Sequence, residues 1–180
     1  MGFLLFSSGA MALPAHAMAP KGNAALLPSY AVTLTAYNAV PAQTDSDPLV
    51  TASGAYSNPE VVAARSRNLA DELPFGTIIE IDGSNASKES CGYSIVAPII
   101  GYRVIADTMN ARFTDRIDVL FSTKSNYTLT GGNVKNAGQV LGICGGITVR
   151  VVGRIDIDRI PKTQSELAAL VVGTGSLALK

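Results

Sequence analysis

The sequence predicts an all-β domain, a small barrel or sandwich. Three observations carry that expectation. Short runs rich in Val, Ile and Thr are punctuated by Gly, Pro and Asn from residue 31 onward. Strands do not alternate with long amphipathic helices, which argues against a parallel α/β sheet. The chain has 180 residues, 47% of them hydrophobic, with 17 Gly and no Trp, which suits one domain with a buried core rather than a disordered or coiled-coil chain.

Val32–Tyr37 alternates at period two and reads as the first strand. Pro59–Leu73 carries Val61, Val62, Ala64, Leu69 and Leu73 and has room for a short helix. Pro74-Phe75-Gly76 is a turn that launches a strand over Thr77–Ile81. Further strands are expected at Tyr102–Ala106, Arg116–Phe121 and Ile147–Ile157, and polar loops at Ser84–Ser90 and Thr130–Gly138. In Thr163–Leu170 a capping Thr163 or Ser165 with Glu166 in the first turn predicts a helix.

Residues 1–17 read as a signal peptide. A short apolar run ends at Leu13, and Ala15-His16-Ala17 offers small residues on either side of His16, although no Lys or Arg precedes the run. A short buried helix is the competing reading. Residues 18–30, with two prolines and no periodicity, read as a linker; the domain is expected over 31–160 and a tail over 161–180. Export to the periplasm, cell envelope or extracellular space follows from the leader.

Composition excludes several classes of function. Lys+Arg 14 against Asp+Glu 14 leaves no basic excess for nucleic acid, and no run reaches the ~20 apolar residues of a membrane span. The only histidine is His16, within the expected leader. Without it, Ser-His-Asp triads, Cys-His dyads and histidine metal sites are all excluded. No cofactor or metal is expected, and acid–base chemistry falls to carboxylates, Lys or Tyr. Cys91 and Cys144 are either one disulfide, as an even count in an exported chain suggests, or two buried thiols.

Asp45, Asp47, Glu60, Asp82 and Glu89 lie in polar, loop-like company and read as surface groups. Asp156 and Asp158 alternate with Ile and Arg, as on an exposed strand face with cross-strand ion pairs. Asp107 and Asp118 differ, because each sits among apolar strand residues, where lost hydration disfavours the charged form. That is what a general acid near neutral pH requires. Ile117, Val119 and Phe121 share one strand face, so Asp118 points away from the core, either into a groove or into an ion pair with Arg112 or Arg116.

Four pieces in order resemble the three-aspartate (3D) domain family. They are Thr35-Ala36-Tyr37 followed by Thr51-Ala52-Ser53-Gly54; Val61-Val62-Ala63 with Leu73-Pro74-Phe75-Gly76-Thr77; Ala106-Asp107-Thr108; and Arg116-Ile117-Asp118-Val119. The spacing of eleven between Asp107 and Asp118 is the family's own, and the match spans about 31–153. The resemblance implies a six-stranded double-psi β-barrel of the expansin-like kind, with one or two short helices. Two departures stand out. Met109–Asp115 replaces the family's glycine-rich loop and its lysine, with Arg112 as a substitute cation. The first family aspartate falls on Asp71 or on Arg67-Asn68.

The activity implied is lytic transglycosylation of peptidoglycan, an attack on the glycosidic bond between N-acetylmuramic acid and N-acetylglucosamine. Asp118 falls on the catalytic acid, Asp107 on the group that sustains its proton affinity, and Tyr37, Asp71 and Arg112 become candidates for holding substrate. Core packing is the competing role for Tyr37. The altered 109–115 loop motivates an alternative, a non-catalytic glycan-binding or wall-loosening barrel, since fold does not fix chemistry.

Overall fold

The computed structural model describes residues 27–44, 47–87 and 91–177. The expected leader, most of the expected linker, Asp45 and Glu89 lie outside the described residues.

Six strands close into a ring: β1 (Ser29–Asn38), β2 (Val62–Arg65), β3 (Thr77–Asp82), β4 (Arg103–Thr108), β5 (Arg116–Phe121) and β8 (Cys144–Arg154), in the order β1-β5-β2-β4-β3-β8. A separate hairpin is formed by β6 (Asn126–Thr128) and β7 (Val134–Asn136). Within the ring, β1 runs parallel to β5 and β2 parallel to β4, and the other four pairings are antiparallel. Helices α1 (Tyr93–Ile100), α2 (Ala137–Leu141) and α3 (Gln164–Leu177) complete the fold. No helix among the described residues is long and apolar enough to cross a membrane.

Period-two alternation sorts each strand into an inner and an outer face. Leu34, Ala63, Ile79, Ile105, Val119 and Ile147, one from each strand, belong to the cluster that fills the ring. Tyr37, Val62, Ala64, Val104 and Leu120 belong to a second cluster on the outer face, closed by Leu167 of α3. Each end of the interior holds a buried arginine over an aromatic ring: Arg103 lies 5.7 Å from the Phe121 centroid and Arg65 lies 5.0 Å from that of Phe75.

The turn before β3 forms as its composition predicts. Thr77 donates to the Pro74 carbonyl from both its amide and its hydroxyl. Gly76 has φ +86°, and a Cβ there would run into the Ile155 carbonyl, so the position requires glycine. Cys91 and Cys144 form a disulfide that ties the start of α1 to the start of β8 across a separation of 53 residues. A loop of that length stabilises the fold by about 4 kcal/mol in the chain-entropy account.

Three expectations are corrected. Pro59–Leu73 holds no α-helix but strand β2, buried throughout, and a 3-10 turn over Arg67–Leu69. Its apolar residues are contiguous because both faces of β2 are covered, which imitates a helical pattern over a short window. The last long strand ends at Arg154, so Asp156 and Asp158 belong to a 3-10 turn; Asp156 pairs with Arg159 at 3.8 Å along the chain, not across strands. Thr130–Gly138 holds β7 and the start of α2, where Asn136 and Gln139 make a capping box.

The predicted C-terminal helix is present as α3. Thr163 and Glu166 cap one another reciprocally, the Thr163 hydroxyl accepting from the Glu166 amide and the Glu166 carboxylate from the Thr163 amide. Gln164 reaches into the barrel wall, donating to the carbonyls of Glu60 and Tyr102. Leu167 is fully buried, so the helix packs as part of the same body.

Candidate functional site

Asp107 and Asp118 lie on the outer face at one level of the ring. Strand β2 runs between β4 and β5, and Ala64 pairs with Asp107 on one side and with Asp118 on the other. The two aspartates therefore sit two strand spacings apart, about 10 Å between backbones, over the small side chain of Ala64. Thr35 of β1 pairs with Asp118 from the far side.

A bulge places Asp107 there. Along β2 and β4 the register runs Val62 with Val104, Ala63 with Ile105, and then Ala64 with Asp107, so Ala106 is the extra residue. Plain alternation would set Asp107 on the face of Ile105, inside the barrel. The bulge turns its carboxylate outward beside Asp118.

Three donors hold Asp107. Its Oδ1 accepts from the amides of Ala52 (2.9 Å) and Thr108 (2.8 Å), and its Oδ2 accepts from the Tyr37 hydroxyl at 2.8 Å. The Ala52 amide belongs to the turn Thr51–Gly54, whose Ser53 amide donates to the Ala106 carbonyl and whose Gly54 has φ +86°. The Thr51–Gly54 turn is thereby pinned against the bulge that carries Asp107.

Asp118 is bound far more lightly. Thr35 Oγ1 donates to its Oδ1 at 2.8 Å, and Oδ2 has no partner among the described residues. Burial in the wall pushes its carboxyl up to about 6; the Thr35 hydroxyl and the Arg116 charge oppose that shift, and the Asp107 charge adds to it. No ion pair forms with Arg112 or Arg116 among the described residues. Asp118 is a carboxylic acid that carries its proton in mildly acidic water, with one oxygen open to the outside.

Both aspartates, Tyr37, Arg67, Arg112 and Phe113 line one open cleft of about 780 Å³. Tyr37 is 8% exposed, so it serves the outer-face core and the cleft wall together. Its phenol is pushed well above the ordinary tyrosine range by burial and then by Asp107, which keeps it a neutral donor. Asp71 does not line the cleft; its charge acts on the buried Arg65. Arg67 does line it, whereas Asn68 turns to the β4–β5 connection, donating to Asp115 at 2.7 Å and accepting from the Asp115 amide. Asp115 has φ +52°, and this reciprocal lock with Asn68 holds it in that conformation.

Arg67 was visible to sequence reading only as an alternative site for a missing aspartate, and the role of Thr35 was not visible at all. The signal for Thr35 is parity: it shares a strand face with Tyr37. Among the described residues no group of His, Cys, Asp and Glu is arranged to hold a metal ion. The cleft offers one carboxyl whose proton affinity burial raises to about 6, one carboxylate held by three donors, one neutral phenol and two exposed guanidinium groups. No family model matches the sequence, and no curated protein matches it.

Proposed function

We propose that this chain is a lytic-transglycosylase-type glycosidase acting on the glycan strands of peptidoglycan, with Asp118 as its single general acid and base. The observation that carries the reading is Asp118 itself: a carboxylic acid raised to about 6, with one free oxygen, in the wall of an open cleft. The double-psi barrel of the 3D family belongs to the same proposal. A closed six-strand ring with two parallel pairs supports it, as does the docking of the Thr51–Gly54 turn on Asp107, which joins two separate pieces of the resemblance.

The chemistry balances on one carboxyl group. Protonated Asp118 gives its proton to the glycosidic oxygen as the bond to the muramoyl C1 breaks. The resulting carboxylate takes the proton of the muramoyl C6 hydroxyl as that oxygen closes on C1. The products are a 1,6-anhydro sugar and a free 4-hydroxyl end, and Asp118 is again protonated. No water is consumed, so no second carboxylate has to activate one. Asp107, held by its three donors, faces positive charge developing at C1 and sustains the proton affinity of Asp118. Tyr37 fixes Asp107 and lines the cleft in which the sugar would lie.

Export to the cell envelope is part of the proposal, and the disulfide supports it, since such bonds persist in oxidising compartments. A binding-only module is the second reading, favoured by the 109–115 loop. There the guanidinium groups of Arg112 and Arg116 both lie over the Phe113 ring, 4.6 and 4.8 Å from its centroid, which makes a contact surface in place of a glycine-rich loop. Incubating the purified chain with peptidoglycan sacculi, followed by mass spectrometry of the soluble products, decides between them. Release of 1,6-anhydromuropeptides that is lost on Asp118→Asn is expected. Tight sacculus binding without fragments overturns catalysis.

A further inference from the structure

Arg67 and Arg112 reach the cleft from different loops. Arg67 opens the 3-10 turn after β2, and Arg112 sits in the connection from β4 to β5. Both are exposed, and neither has a carboxylate within ion-pair distance among the described residues, unlike Arg150, which is held by Glu80 and Asp82, and Arg159. The acids of the cleft do not neutralise them, because Asp107 is taken up by Tyr37 and two amides, and Asp118 leans on Thr35. The Arg112 guanidinium also rests over the Phe113 ring, 4.6 Å from its centroid. Two unpaired cations thus stand over a floor whose reacting acid must be uncharged. A neutral sugar offers them only single hydroxyl and amide oxygens, with no charge to match. A carboxylate supplies the charge, and a guanidinium fork fits it with two parallel hydrogen bonds.

We propose that the cleft selects a saccharide bearing a carboxylate substituent, and that Arg67 and Arg112 together hold that carboxylate while the glycosidic bond lies at Asp118. On a muramoyl substrate the carboxylate is the lactyl group's own where it is free, or that of the peptide amide-linked to it. The identity of the bearer rests on the glycan reading above; the clamp rests on the two arginines.

The test measures binding to the Asp118→Asn chain, which does not turn substrate over, for three probes: muramoyl glycan fragments with intact stem peptides, chitooligosaccharides of the same length, which carry no carboxylate, and an oligogalacturonate. Muramoyl fragments are expected to bind roughly tenfold or more tightly than the chitooligosaccharides. Arg67→Gln and Arg112→Gln should each remove most of that advantage, with an unchanged unfolding midpoint, while Arg67→Lys and Arg112→Lys keep part of it. Equal binding of muramoyl fragments and chitooligosaccharides, untouched by either glutamine variant, overturns the clamp and leaves the glycan reading standing. Arginine-dependent binding of the oligogalacturonate alone upholds the clamp and overturns the peptidoglycan reading.

Discussion

Arg103 on β4 and Asp118 on β5 are ionisable groups set into the same barrel wall, and they are treated in opposite ways. Arg103 is fully buried and its guanidinium donates to five backbone carbonyls, those of Ile99 and Ile100 at the end of α1 and those of Pro59, Val62 and Leu120. It has no carboxylate partner among the described residues; burial lowers its proton affinity to about 9, and the cage of carbonyls is what makes its charge tolerable. Asp118 has one hydrogen bond and an open oxygen, and it answers burial by keeping its proton. Saturated partners make Arg103 a joint between helix and barrel. The missing partners leave Asp118 free to exchange its proton with whatever enters the cleft.

The largest effect expected from breaking this contrast is on activity. Asp118→Asn keeps the shape and the Thr35 contact but removes the transferable proton, and release of anhydromuropeptides should fall by roughly 10²–10⁴-fold. In the intact chain, activity should fall as pH rises through about 6, because the acid is then ionised before substrate arrives. A pH profile flat from 5 to 8 would remove Asp118 from the proton-transfer role.

Next comes the opposite side of the contrast. Arg103→Met fills similar space but leaves five carbonyls without their donor, so unfolding should need at least about 3 kcal/mol less, a fall in midpoint of about 6–12 °C. Arg103→Lys keeps the charge but not the fork, and should land in between. A methionine variant as stable as the parent would mean that water or backbone shifts replace the cage.

Asp118→Asn also carries a stability signature. The folded chain holds the Asp118 proton more tightly than the unfolded chain does, so its stabilising contribution is complete below about pH 4 and is lost as pH rises through about 6. At pH 8 the ionised, half-buried carboxylate costs the parent up to about 3 kcal/mol, which the neutral amide does not. The variant should therefore unfold later than the parent at pH 8 and at nearly the same temperature at pH 4. Loss of activity with gain of stability is the behaviour of a group retained for chemistry.

How much of this was legible in the sequence depends on locality. Arg116–Phe121 alternates cleanly, so the strand, its inward Ile117, Val119 and Phe121 and its outward Asp118 could all be read from one segment, and the structure has them so. Asp107 could be picked out by its apolar setting but not placed. Its direction depends on the Ala106 bulge, which is a mismatch between β4 and β2 and leaves no mark in β4 alone. Arg103 was invisible for the same reason, since its five acceptors come from three separate stretches of chain. Helix α1 was missed because it is eight residues long with Pro98 inside, which reads as a turn. Asp71 is the aspartate nearest in sequence to the family's first position, and nearness along the chain does not control which face of the barrel a residue reaches.

The smallest effect separates the two neighbours that tune Asp118. Burial is the main reason its carboxyl is raised; the Thr35 hydroxyl pulls against burial by bonding the charged form, and Asp107 pushes with it through like charge. Thr35→Val keeps the branched shape and removes that hydrogen bond, so the carboxyl should titrate above its present value of about 6. Asp107→Asn removes the neighbouring charge and should move the titration the other way. Carboxyl-carbon NMR of Asp118 through a pH series reads both without relying on turnover. The two variants must move it in opposite directions. A shift of the same sign in both would mean that each substitution acts by loosening the wall and wetting Asp118, and the proton affinity would then belong to burial alone, with Asp107 reduced to fastening the Thr51–Gly54 turn to the barrel.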